Sequence, residues 1–240
     1  MTAKMPSTEQ TLKKIKTHGY WEVVIRPPRF EKERIKPLPK CAELVEECKV
    51  SFRGWDYPAC TAKYPPRGGG DYVEFATDWL AFKELWRMYQ SGQFVHLFAC
   101  HEDWWKTYGS RYSPEVAAIE PGSVLSVVST IYSVTEIYEF ASRLAQKDIF
   151  TDKVHLSIAL HGMKGRTLRI LQFARHLFYD YVSQIDDVTC EEDIEVKELV
   201  ANRYELALQH AFAIFHRFGW YNPSRDVFKE DQKKLIEGRL

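Results

Sequence analysis

The sequence predicts an α+β fold: a mixed or antiparallel sheet with a long central helix and a long C-terminal helix packed on it. Three observations carry this. Residues 121–147 form an apolar-rich stretch that, after Pro121 and Gly122, runs without glycine or proline, with apolar side chains around most of a helical circumference. Strand-like and helix-like segments alternate through the first hundred residues, and a hairpin-like segment and a second long helix close the chain. Finally, no dinucleotide or phosphate fingerprint follows any strand, which disfavours a doubly wound α/β fold, the second choice.

The elements follow in order. Residues 1–18 read as a flexible tail or a short frayed helix around Thr11 to Lys16. Tyr20 to Arg26 alternates as a strand and is stopped by Pro27 and Pro28. Cys41, Leu44, Val45 and Cys48 have the spacing of one helical face, predicting a helix over 40–49. A short strand is expected at Val50 to Gly54, then a proline- and glycine-rich loop, then a strand at Asp71 to Ala76. Asp78 reads as the cap of a helix over 79–90, with Trp79, Phe82, Leu85, Trp86 and Tyr89 as its stripe. Gln93 to Cys100 is apolar on both faces, as in a strand covered on both sides. A short strand is expected at Val116 to Ile119, with Pro121 in the first turn of the central helix.

Beyond the central helix, residues 153–171 read as a β-hairpin turning at Gly162 to Gly165, with Leu156, Ile158 and Leu160 facing the helix. Thr189 and Glu192 have the spacing of a capping box, so a helix is predicted over 191–218. The stretch 172–183 has no clean period and receives no assignment. The whole reads as one domain over 19–221, with a polar tail or short helix over 222–240.

Composition narrows the function classes. The chain has 240 residues, 45% of them hydrophobic and 14% aromatic, enough to bury a core without disulfides or metals. Its 33 basic and 33 acidic residues cancel, so no global field favours nucleic acid or an anionic membrane. Locally, residues 1–40 hold ten Lys or Arg against four acidic residues, and 186–198 hold seven Asp or Glu against one Lys. These are expected to be solvated faces or mutual partners, or, for the first, a patch for a polyanion. Five cysteines without a CxxC, no apolar leader and no apolar run of about 18 residues predict a cytoplasmic protein with no membrane association.

No nucleotide, hydrolase or zinc-protease motif is present, so no catalytic residue, metal or cofactor is assigned, and the enzyme reading is left open with a lean against it. The glycines at 68–70 precede a strand, not a helix N-terminus, and read as a turn. His101-Glu102-Asp103 lacks a second histidine one turn on and reads as a surface turn. His155 and His161 share a strand face but lie about 20 Å apart by strand rise, too far for one metal. Glu136 and Glu139 are near neighbours on the central helix, without an identifiable third group.

The candidate binding residues are arginines and aromatics near the first strands: Arg26, Arg29, Arg53, Trp55, Asp56 and Tyr57, joined by His96. Arg and Trp dominate interface hot spots and base stacking; the bland alternative packs Trp55 into the core and pairs Arg53 with Asp56. At Gly19 to Glu22, Arg53 to Pro58, Gln90 to Phe98, His161-Gly162 and Phe218 to Trp220, the chain resembles a family of bacterial proteins with a GYWE and RGWD(Y/F)P pattern. Some of its members are joined to an AlbA-like, Schlafen-related nucleic-acid-binding domain. The resemblance implies a stand-alone copy of an accessory domain and carries over no catalytic residue; Ala59 stands where that pattern has a histidine.

The expectation is therefore a non-enzymatic interaction or sensor module that binds a protein partner or itself through an Arg/aromatic surface. Nucleic-acid binding through the basic N-terminal region, and a hydrolase or nuclease site assembled in three dimensions, are the alternatives. Convergence of Arg53, Asp56 and His96 in one cleft would raise the enzyme reading above the binding one.

Overall fold

A computed structural model describes residues 7–61, 65–111, 116, 118–171 and 175–239. Its frame is a seven-stranded sheet in the order β2-β3-β4-β5-β1-β7-β9, every neighbouring pair antiparallel. The strands are β1 (Tyr20–Arg26), β2 (Arg67–Gly69), β3 (Tyr72–Trp79), β4 (Phe82–Tyr89), β5 (Phe94–Ala99), β7 (Lys153–His161) and β9 (Val188–Glu195). A separate parallel pair joins β6 (Val124–Ser126) to β8 (Thr167–Arg169). The helices are α1 (Thr8–Ile15), α2 (Pro39–Cys48), α3 (Val127–Ala145), α4 (Val196–Arg217) and α5 (Arg225–Ile236), with a 3-10 helix at His101–Arg111. This is the α+β class expected.

β1 obeys the period-2 rule: Trp21, Val23 and Ile25 are buried between the sheet and the helices. They join Phe94 and Phe98 of β5, and Leu156, Ile158 and Leu160 of β7, in one core. α3 lies on that core and is buried almost all round, because α4 and α5 pack on it in addition to the sheet. Its breadth of apolar positions is thus explained by two partners, the β7 face and the α4 helix, as the sequence implied. The other sheet face is covered locally by α1, whose Ile15 packs with Ala76 and Leu85, flanked by Leu97.

Several elements differ from expectation. The predicted helix over 79–90 is strand β4, joined to β3 by the two-residue turn Leu80-Ala81. Leu80 takes φ 53°, a left-handed conformation that turns usually reserve for glycine or asparagine, so no turn residue announces the hairpin. Trp86 and Met88 face one core and Leu85 the other, and burial on both faces imitates a helical stripe. Asp78 caps nothing; it pairs with Lys14 and Lys83.

The expected hairpin at 153–171 does not form. Both edges of β7 are taken, by β1 and β9, and the segment after Gly162 leaves the sheet to pair with β6. Thr189 and Glu192 lie in β9, and the last long helix starts only at Val196. Eight residues of register with β7 outweigh the local capping signal. Val50 to Gly54 is not a strand; Val50 alone bridges to Tyr57. Around 116–119, residue 117 lies outside the described residues and none of the others is in a strand, and Pro121 sits in a turn ahead of β6. The central helix is accordingly shorter, capped by the Ser126 side chain accepting from Ser129 N. Residues 1–6 and 172–174 lie outside the described residues. Of the alternatives at the two ends, tail or helix, both are helices: α1, whose buried Ile15 holds it on the sheet in place of a flexible tail, and α5.

Candidate functional site

Four elements converge around β5. The loop after α2 brings Arg53, Trp55, Asp56 and Tyr57; β4 and β5 bring Glu84, His96 and Phe98; α3 brings Ser133 and Glu136. Gly54, at φ 81°, makes the turn between Arg53 and Trp55, a conformation that costs a side-chain-bearing residue energy. Arg53, Asp56, Tyr57 and His96 line one cleft, with Trp55, Phe82 and His101 toward its mouth. At its base there is room for about one water.

The charges in the cleft are largely committed to one another. Arg53 makes a two-point ion pair with Glu136: Nε donates to Oε1 at 3.0 Å and Nη2 to Oε2, with Ser133 Oγ 3.4 Å from Nη2. The Glu136 side chain is 0% exposed and that of Arg53 8%. Burial raises the Glu136 carboxyl above its ordinary range, and the attraction of Arg53 lowers it only in part. Asp56 accepts from Ser51 Oγ at 2.5 Å and pairs with Lys49 at 3.1 Å. Arg53 therefore ties the loop to α3, not to Asp56 as the bland reading had it.

His96 is also committed, on one side. Its Nε2 lies 2.8 Å from Glu84 Oε2, an oxygen that also accepts from Ala59 N. Its Nδ1 is buried with no partner among the described residues, and so is the Tyr57 hydroxyl. The Tyr57 and His96 rings meet edge-on at 5.1 Å. Burial raises the Tyr57 hydroxyl well above its usual range, so it stays protonated. His101, at the mouth, is pushed down to about 3 by burial and by the positive charges of Arg53 and Lys83.

At the mouth, aromatic rings form a continuous shelf. Trp55 meets Phe82 at 4.7 Å, Phe82 stacks with Trp79 at 6.0 Å, and His101 stands edge-on to Phe82 at 4.7 Å. The Arg53 guanidinium sits over the Trp55 ring at 5.0 Å. Trp79 is 61% exposed and Trp55 39%.

Of the residues singled out from sequence, Arg53, Trp55, Asp56, Tyr57 and His96 come together. Arg26 and Arg29 do not: Arg26 ends β1 opposite His155, about 17 Å by strand rise from Trp21 at the cleft end, and Arg29 lies in the exposed connector beyond it. Glu84, Phe82 and Trp79 escaped notice because they were assigned to a helix. The His101-Glu102-Asp103 segment is no surface turn. Glu102 accepts from Ser126 N, and Asp103 accepts from Gly19 N, Gly122 N and both Nη groups of Arg166, with both acids buried. Among the described residues no group of three His, Cys, Asp or Glu side chains is placed to hold a metal, and no helix is long and apolar enough to cross a membrane. No protein-family model, curated protein or solved structure matches this chain.

Proposed function

We propose that the protein is a non-enzymatic interaction module that engages a protein partner, or a second copy of itself, through the aromatic shelf Trp55-Phe82-Trp79. The observation that supports it is the exposure of two neighbouring tryptophans bridged by Phe82, on a hairpin tip and a loop held by buried polar contacts. Trp is among the residue types that anchor interfaces, and an exposed cluster of large aromatics is uncommon on a surface that meets only water. Arg53, Asp56 and His96 do share a cleft, but Arg53 and Asp56 are already neutralised by Glu136 and Lys49, which removes the charges an enzyme reading would use. The role of Arg53 is to hold the shelf.

The test is a double substitution, Trp55→Ala with Trp79→Ala, assayed by sedimentation for self-association and by crosslinking against the proteins of the source cell. Loss of a specific association with an unchanged fold supports the reading. An association that survives the double substitution sinks it.

A hydrolytic reading stands second, on one observation. Glu84 orients His96 through Nε2, leaving Nδ1 buried without a partner among the described residues in a cleft that has a water-sized space, an arrangement able to polarise a water. Turnover of generic ester or phosphodiester substrates, abolished by His96→Ala, would favour it. Nucleic-acid binding through the N-terminal region is less supported, because Lys13, Lys14, Arg34, Lys36 and Lys40 each meet an acidic side chain.

A further inference from the structure

The seven-stranded sheet ends differently on its two sides. At one edge stands β2, three residues long and two of them glycine, which offers little backbone to pair with. At the other stands β9, eight residues long. Its ladder with β7 runs unbroken from Leu160 opposite Val188 to Lys153 opposite Glu195, with no bulge, glycine or proline along β9. In an antiparallel ladder, alternate residues turn their N–H and C=O groups away from the paired neighbour. On β9 these groups face outward, and among the described residues no backbone group pairs with them. Folded chains usually blunt such an edge by shortness, proline, a bulge or charge, and β9 has only negative charge.

A groove runs along this free edge. Thr189, Cys190, Glu191 and Glu192 all line it, and because consecutive strand residues point to opposite faces, only a groove at the edge itself touches all four. The other edge of β9 is closed by β7, so the groove lies on the open side. Its far wall is α4, through Gln209, Ala213 and Arg217. An open strand beside a helix can take up an extended segment as one more strand. The main chain then supplies the hydrogen bonds, and alternate side chains of the segment meet the two faces.

Charge decides which segment fits. Glu191, Asp193 and Glu195 share the face turned away from α4, and all three are exposed. Asp193 lies 2.8 Å from His155 and Glu195 3.2 Å from Lys153, whereas Glu191 has no partner among the described residues. On the α4 face, Glu192 contacts the Tyr138 hydroxyl, itself 2.9 Å from His210 Nδ1, and Arg217 offsets its charge in the groove. The unbalanced negative charge is therefore on the outer face. A second copy of β9 is a poor occupant: antiparallel pairing centred on Glu192 sets Glu191 against Asp193, and like charges directly opposite destabilise a ladder. We propose that β9 accepts an extended basic segment of a protein partner as an eighth strand, with Lys or Arg at the alternate positions opposite Glu191 and Asp193. This edge is separate from the aromatic shelf, which sits on the β3-β4 tip and the loop after α2.

The experiment titrates the full chain with a peptide as long as β9 that alternates lysine with valine, read by fluorescence anisotropy of the peptide and by amide hydrogen exchange over 188–195. Binding should slow exchange of the outward amides of β9 and leave those bonded to β7 unchanged. A peptide with glutamate in place of lysine should bind about tenfold more weakly or worse, and so should the lysine peptide N-methylated at every residue, which keeps the charge and loses the donors. Glu191→Lys, an exposed position, should weaken the lysine peptide about fivefold with Tm unchanged. The proposal is overturned if the outward amides are not slowed, if the N-methylated or glutamate peptide binds as the lysine peptide does, or if Glu191→Lys binds it as the parent does.

Discussion

Arg53 and Glu136, 83 positions apart in sequence, form a two-point ion pair in which the carboxylate has no contact with solvent and the guanidinium almost none. The pair joins the aromatic loop to the central helix. It makes the candidate site depend on the core of the molecule.

Removing one partner tests that dependence. Arg53→Ala leaves a buried carboxylate uncompensated, which costs about 3–5 kcal/mol at neutral pH. Burial already raises the Glu136 carboxyl, and loss of Arg53 raises it further. The folded variant then holds a proton that the unfolded chain releases. The penalty is complete above the raised value and fades as the pH falls toward the ordinary carboxylate value of about 4.3. Urea unfolding of parent and variant across that range should show the two curves converging on the acid side, and Glu136→Gln in the Arg53→Ala background should remove the convergence.

His101 should oppose folding in acid. Its folded value, about 3, lies below the usual one of about 6.5, so the unfolded chain takes up the proton first. Its contribution is complete above about pH 6.5 and is lost as the pH falls toward the folded value, at up to ~1.4 kcal/mol per pH unit. His101→Phe should flatten the acid limb of stability against pH relative to the parent; an unchanged limb would contradict this assignment.

Gly19→Ala is expected to be strongly destabilising although the residue lies at the start of a strand. A methyl group there would overlap the Arg166 guanidinium, which is 1% exposed and locked to Asp103 and to the carbonyls of Gly162 and Val124. Moving Arg166 breaks a buried charged network that staples the start of β1, the 3-10 helix and the loops before β6 and β8, at a cost of about 3–5 kcal/mol. Thermal unfolding of Gly19→Ala beside the exposed control Gly122→Asn, a change at a left-handed turn with open space around it, separates the two effects: the first should lower Tm far more.

Trp79→Ser should change stability by no more than about 0.5 kcal/mol, since the side chain is mostly exposed and supports little of the core. Near-neutral unfolding together with weakened association is the expected pairing. A large loss of stability would instead mark Trp79 as a structural residue of the β3-β4 tip.

The chain's local patterns determined a good deal: the α+β class, β1, α2, β5, the central helix and its two-sided cover, and a set of seven candidate binding residues of which five meet in one cleft. These were legible because alternation, helical stripes and composition are properties of neighbouring residues. Only the tertiary structure decided that 82–89 is a strand, since burial on both faces blurred its period and Leu80 took a conformation no turn signal announced. It also decided that 188–195 extends along β7 in place of starting a helix, where cross-strand register won over a local cap. The partners of Arg53, His96 and His210 belong to the same class: Glu136, Glu84, Tyr138 and Glu192 reach them across the fold, and ion pairs and hydrogen bonds depend on distances that only the folded chain sets.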